Sequence, residues 1–292
     1  MTSSPCLVCG SLKFRPVFKP KDGGGRAFER CLDCSLLQMR PMPTEKELFD
    51  FYQTYDVVGE HDAYFKDVWG PNALQTPEGR DIAERASWVL GIAPKPDRLL
   101  EVGSGHGLFL KVMRDAGVQA EGVELHAGAA KKSAELYGVK VHHGTLESFA
   151  GDRYAVIAMW DLIEHVADPN PLLAKVHALL PGGGHLFIET PDEEALLDRA
   201  VLLLARIGVT WPADLFYGIH HLVLFRRQSM RRLLDRHGFE VIDIRPAETY
   251  VPRIFRGASL RDKAARVGLG ALFRVARVVD RQNKMLVAAR KR

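Results

Sequence analysis

The chain has 292 residues, 47% hydrophobic and 26% charged, a composition that excludes a disordered or fibrous protein and allows one large α/β domain with a small accessory module. No apolar run reaches the length of a membrane span, the longest (200–209) being broken by Arg206, and the start M-T-S-S-P-C lacks the charged and apolar regions of a signal peptide. A cytoplasmic location is therefore expected. The net charge of +4 is unevenly spread: 226–292 carries 18 Lys/Arg against 6 Asp/Glu, a basic segment on an acidic body. Such a segment favours acidic substrates, membrane surfaces or nucleic acid without choosing among them.

All four cysteines, Cys6, Cys9, Cys31 and Cys34, lie near the start as two C-x-x-C pairs separated by 21 residues, with K-D-G-G-G at an expected hairpin tip. Each pair is a knuckle that clasps a metal, and together they complete a tetrahedral thiolate site for structural Zn²⁺ with no open position for catalysis. A proline-punctuated link (36–43) leads into a short helix capped near Thr44, with Glu47 completing a capping box. An irregular aromatic stretch runs to about Pro77, and a helix is predicted over 78–90.

The next segment, R-L-L-E-V-G-S-G-H-G-L-F-L (98–110), reads as a buried strand that ends in Gly103, Gly105 and Gly107 and opens an amphipathic helix. Glycines there admit positive φ and let a ligand approach bare backbone amides. A dinucleotide site would want a glycine where Leu108 stands, which disfavours a nicotinamide dehydrogenase. Glu101, two residues before the first glycine, would repel a pyrophosphate and attract an ammonium group.

Beyond it, strands are predicted at 119–124, 140–143, 154–160 and 185–190, with helices at 108–116, 127–137 and 169–180 between them. The alternation argues for a parallel sheet with helices on both faces, binding its ligand beyond the carboxyl ends of the strands. Two further strands (239–244 and 285–289) follow a helix at 229–237. Glu124, at the end of the second strand, is placed to accept the hydroxyls of a ribose; a solvated acid at a helix start is the plainer alternative.

The acid followed by G-x-G-x-G resembles the first motif of the class I S-adenosylmethionine-dependent methyltransferases. The run 154–192 is similar to that family's fourth strand, its E-H, its D-P helix and its L-L-x-P-G-G turn, and H-L-V-L-F with R-R-L-L-D-R-H-G-F matches its late histidine, helix and G-F strand. The cysteine module followed by P-x-P-T-x-x-x-L-x-x-F-Y looks like the zinc-binding front end of a bacterial branch of these enzymes. The resemblance implies a Rossmann-like seven-stranded methyltransferase sheet, order 3-2-1-4-5-7-6, with helices on both faces, plus the zinc module. It implies a module and linker helix over 1–58 and a methyltransferase domain over 59–292, with a substrate lid at 195–225. It places S-adenosylmethionine against Glu101, Gly103, Gly105, Gly107, Glu124, Leu125, Thr145, Leu146 and Trp160. Thr145 stands where the family has an acid for the adenine amino group, and Tyr154-Ala155 where it has F-D.

Methyl transfer to a hydroxyl needs the acceptor aligned and its proton removed, and histidine suits that role near neutral pH. His165 and His221 are the candidates; each has the alternative of a packing or capping role. Asp161, Glu164 and His165, with His220 or His221, also form a mixed oxygen and nitrogen set for a second divalent ion such as Mg²⁺. The helix predicted over 259–281 sets Leu260, Ala264, Val267, Leu272, Val275 and Val279 against basic residues. Packing of that stripe on the sheet is the first expectation; peripheral contact with an anionic bilayer, or cover over a phosphorylated substrate, is the second. The expected activity is transfer of a methyl group from S-adenosylmethionine to a small or medium acceptor, anionic or not, at a hydroxyl of a sugar, sugar nucleotide or secondary metabolite. The alternative is a zinc-containing RNA-binding or RNA-modifying protein of the same fold, ranked lower because the module lacks clustered basic and aromatic residues. Neither the acceptor nor the oligomeric state is encoded in these motifs.

Overall fold

The front of the chain forms three short antiparallel strands, β1 (Phe14–Phe18), β2 (Ala27–Cys31) and β3 (Leu37–Arg40), with the predicted hairpin joining the first two. In this computed structural model, the residues described are 4–21, 23–44, 46–48, 50, 70, 72–217, 221–249 and 260–292. The aromatic stretch of 51–69, the linker helix beyond residue 50, His220 and Ser259 lie outside them. The expected capping box is present: Glu47 N–H donates to Thr44 Oγ1 at 3.3 Å, and Thr44 N–H donates to Glu47 Oε2 at 2.8 Å. The segment read as a plain link contains β3, a correction: Leu37 and Met39 bury their side chains fully, which a solvated connector would not do.

Helix α1 (Pro77–Ile92), capped by Thr76, leads into β4 (Arg98–Val102). Parallel strands and helices then alternate: α2 (Leu108–Asp115), β5 (Gln119–Glu124), α3 (Ala127–Tyr137), β6 (Lys140–His143), β7 (Val156–Trp160), α4 (Pro169–Leu179) and β8 (His185–Pro191). Two helices, α5 (Leu196–Arg206) and α6 (Trp211–Phe216), follow, then β9 (Val223–Leu224), α7 (Arg227–Arg236), β10 (Phe239–Ala247), α8 (Leu260–Val278) and β11 (Lys284–Lys291). The seven-stranded sheet runs β6-β5-β4-β7-β8-β11-β10, with β11 antiparallel to both neighbours, which is the expected 3-2-1-4-5-7-6 order.

All five residues of β7 are buried, as a strand covered on both faces requires. Ile157 and Met159 join Leu100, Val102, Leu172 and Val176 on one face; Val156, Ala158 and Trp160 join Leu99, Phe109 and the α1 residues Ile82, Ala86 and Val89 on the other. Glu101 shares the phase of Leu99 and therefore faces the α1 side.

The second sheet, β1-β2-β3-β9, takes its fourth strand from residues 223–224, far along the chain. The apolar stripe expected to pack α8 on the sheet is only in part the buried one: Leu272 is half-buried against the core, and the side chains of Leu260 and Ala264 lie outside the described residues. Leu269, Phe273 and Ala276 turn inward, while Val267 and Val275, and Val279 just beyond the helix, are exposed. Both faces of this helix carry apolar residues, and the larger Leu and Phe side chains claim the core.

Candidate functional site

The turn after β4 is built on left-handed backbone: φ is 73° at Gly103, 49° at Gly105 and 73° at Gly107. A Cβ on Gly107 would lie 2.8 Å from that of Ser133, and one on Gly103 would lie 3.0 Å from Leu162 Cδ1, so side chains are excluded by space as well as by conformation. Gly103 N–H donates to the Val123 carbonyl at 2.8 Å, which pins the turn to β5.

Glu101 is 3% exposed, and its Oε2 has no hydrogen-bond partner. Burial pushes its carboxyl well above the usual range; Arg85 opposes the shift and Glu124 adds to it. An orphaned buried carboxyl oxygen beside a side-chain-free cradle fits a ligand with an ammonium end. Glu124 accepts from Gly105 N–H at 2.7 Å through Oε2 and from His126 N–H at 2.8 Å through Oε1. Each oxygen retains a second lone pair, and the carboxylate is aimed by backbone, an arrangement suited to a vicinal diol.

Leu125, next in the chain, is 50% exposed, whereas Leu146 is buried. Thr145 opens a turn in which its Oγ1 accepts from Ser148 N–H at 3.4 Å and its carbonyl accepts from Ser148 Oγ at 2.9 Å. Trp160 is buried with its Nε1 unpartnered, and the Arg85 guanidinium lies 5.4 Å from its ring centroid.

Charges that the sequence analysis did not single out close this wall. Arg85 from α1 and Lys284 from β11 both reach Glu189 Oε1 of β8, the lysine at 2.7 Å, and Lys284 also meets Asp161 Oδ2 at 2.5 Å. Glu189 is 2% exposed, so its charge is held by cations from two distant segments.

Beyond β7, Asp161 takes a left-handed φ of 48°, and the chain enters a short turn of 3-10 helix, Ile163–His165. Glu164 is 1% exposed; its Oε2 accepts from Thr190 Oγ1 at 2.9 Å, and its Oε1 has no hydrogen-bond partner, lying 3.8 Å from His165 Nε2. Burial first, and Asp161 second, push the Glu164 carboxyl up to about 8. The rings of His165 and His221 are 5.0 Å apart and inclined at 42°. His221 Nδ1 is 2.9 Å from the Phe216 carbonyl, which can only accept, so Nδ1 carries the proton and Nε2 the lone pair.

Donor atoms of Glu164, His165 and His221 lie within 4.8 Å of one another. Asp161, expected in this set, is outside it and pairs with Lys284; the expected members Glu164, His165 and His221 are the ones brought together.

The four cysteine sulfurs also lie within 4.8 Å of one another, with Cys6 Sγ to Cys34 Sγ at 3.4 Å and Cys9 Sγ to Cys31 Sγ at 3.5 Å. Zn–S distances of about 2.3 Å in a tetrahedron place thiolates about 3.8 Å apart, so a small outward adjustment admits the metal. The cluster is consistent with zinc.

A family model described as a methyltransferase domain matches residues 77–244. A ubiquinone biosynthesis O-methyltransferase of Burkholderia pseudomallei (strain 1710b) is 29% identical over 189 residues, which cover 61% of this chain and 79% of that protein. The solved geranyl diphosphate C-methyltransferase of Streptomyces coelicolor A3(2) is similar with a TM-score of 0.52 and 15% identity, over 72% of this chain and 77% of that one. A methyltransferase of Bacillus halodurans C-125 gives 0.52 and 15%, over 71% and 99%. These two likenesses are of fold.

Proposed function

The chain belongs to the methyltransferase-domain family of S-adenosylmethionine-dependent enzymes, and from that premise we propose that it methylates a hydroxyl of a small or medium acceptor. When bound, the cofactor supplies an electrophilic methyl group on a sulfonium that departs as a neutral thioether. Glu101 holds the ammonium end and Glu124 the ribose diol. Leu125, with Thr145 and Leu146, borders the adenine. Trp160 and the Arg85–Glu189–Lys284 wall close the methionine side against water.

The protein's task at the acceptor is to hold the hydroxyl in line and take its proton. His221 is the better placed of the two histidines. The Phe216 carbonyl fixes its tautomer so that Nε2 carries the lone pair, and this one observation carries the assignment. His165 packs against the His221 ring and orients it. Oxygen as the acceptor atom is supported by the O-methylation named for relatives such as the Burkholderia protein. The basic 226–292 segment favours an anionic acceptor such as a sugar nucleotide. The four cysteines hold structural Zn²⁺, 195–225 serves as the lid, and 1–58 and 59–292 are the two functional divisions.

The decisive assay is release of S-adenosylhomocysteine over a panel of sugar, sugar-nucleotide and phenolic hydroxyls. His221→Asn is expected to lower turnover by about 100-fold or more while leaving cofactor affinity unchanged. A protein that binds NAD and not S-adenosylmethionine by calorimetry, or that methylates only amines, would overturn the proposal. A second reading rests on the Glu164, His165 and His221 cluster, which has the donors of a mixed oxygen and nitrogen site for a divalent ion. Activity that survives chelation while the cysteine metal is retained would remove it.

A further inference from the structure

Main-chain hydrogen bonds tie the four-cysteine module to the acceptor side of the site. Running on from the Cys34 knuckle, β3 pairs with β9, Leu37 opposite Leu224 and Gln38 opposite Val223. Met39 N–H donates to the Leu222 carbonyl at 2.8 Å, and Leu222 N–H donates in turn to the Glu164 carbonyl at 2.8 Å. His221 immediately precedes this junction.

The other end of the His221 segment is held from the same side. Tyr217 is fully buried, its ring edge-on to Phe28 of β2 at 5.5 Å and tilted against Phe18 of β1 at 5.9 Å, with its hydroxyl donating to Asp198 Oδ1 at 2.7 Å. Its neighbour Phe216 provides the carbonyl that sets the His221 tautomer. A buried ion pair locks the seam: Arg30 of β2 donates to both oxygens of Glu193, which also accepts from Arg226 at the start of α7. The cofactor residues Glu101, Gly103–Gly107 and Glu124 stand on β4, β5 and the turn between them. Among the described residues, no hydrogen bond joins 4–44 to 98–146.

We propose that the four-cysteine module is a positioning frame for His221, clamping both ends of the segment that carries it. Order in the knuckles then governs the acceptor half of the site and leaves the cofactor half untouched. The module is thus a part of the enzyme's acceptor machinery and not a nucleic-acid platform. The consequence for rate rests on the reading of His221 as the proton acceptor; the placement of its ring does not.

The test needs no acceptor. Imidazole signals of His221, identified by their loss in His221→Asn, are followed by NMR in Phe28→Ala, in the conservative Phe28→Leu, and in the wild-type chain stripped of its cysteine metal by a chelator. S-adenosylhomocysteine affinity is measured on the same samples by calorimetry. Phe28→Ala and the stripped chain should move the His221 signals and keep affinity within about twofold. Phe28→Leu should restore the wild-type signals. Unmoved His221 signals in a stripped chain that binds S-adenosylhomocysteine would overturn the proposal, as would loss of affinity in step with the signals, which marks general unfolding. If Phe28→Ala does not fold, the stripped chain decides. Full turnover in His221→Asn would defeat the proton-acceptor reading alone, so the two ideas fail separately.

Discussion

In the proposed cofactor site Glu101 would meet an ammonium best as a carboxylate, yet burial without a hydrogen-bond partner on Oε2 raises its carboxyl well above the ordinary glutamate value. Cofactor binding should therefore be accompanied by proton release, and affinity should rise with pH until pH reaches the raised value of the free carboxyl. The window from about pH 5 to 7 keeps the ligand's α-amino group charged. His106 does not contribute there, because burial and then Arg85 hold it down to about 4 and it stays neutral. Glu101→Gln keeps the shape and cannot ionise. A hydrogen bond to a charged group is worth about 1.5–3 kcal/mol, so the variant should bind about 10- to 150-fold more weakly. Its affinity should also be nearly flat with pH. Calorimetry with S-adenosylhomocysteine in buffers of different ionisation enthalpy counts the protons directly. Equal affinity at both ends of the window, or no proton release by the wild type, would refute the argument. In the unliganded protein the sign is the opposite: stability is greatest below the ordinary glutamate value and falls as pH rises toward the raised one.

Gly107→Ala places a Cβ at φ 73° and 2.8 Å from Ser133; a loss of about 1–3 kcal/mol in urea unfolding and weaker S-adenosylhomocysteine binding are expected. Burial pushes Asp198 up to about 7, against the pull of the Tyr217 hydroxyl. The wild type should thus lose stability as pH rises from about 4 to about 7, by roughly 2 kcal/mol after allowance for partial exposure, and Asp198→Asn should flatten that slope in thermal melts across pH. Cys31→Ser removes a buried sulfur from the cluster; elemental analysis should show bound metal falling from about one per chain to well below that, with a lower melting temperature.

The glycine turn and the strand-helix alternation were legible in the sequence because both are local. Positive-φ glycines and a period switching between two and 3.6 need no knowledge of distant residues. Hence β5, β6 and α3 fall on their predicted bounds. The pairing of β3 with a two-residue β9 was not legible, since 223–224 becomes a strand only by joining an edge that β2 and β3 have already built. The Arg85, Glu189 and Lys284 wall was hidden for the same reason: nothing near any one of them names the others. The α8 stripe misled because apolar residues on both faces satisfy a helical period, valines on the exposed one, and only the depth of the neighbouring core selects Leu269 and Phe273.

β11 lies between β8 and β10 although it is made after both. A nascent chain that has emerged only through β10 therefore has no seat for that strand in the sheet, and Glu189 and Asp161 still await the Lys284 ammonium. Seating β11 completes both the sheet between β8 and β10 and the ion pairs of Lys284 with Glu189 and Asp161, with main-chain bonds on two sides. Until that moment the open flank of β8 is a hazard for pairing with other chains. The last strand in the chain thus carries, at its first residue, the ammonium that joins Glu189 to Asp161.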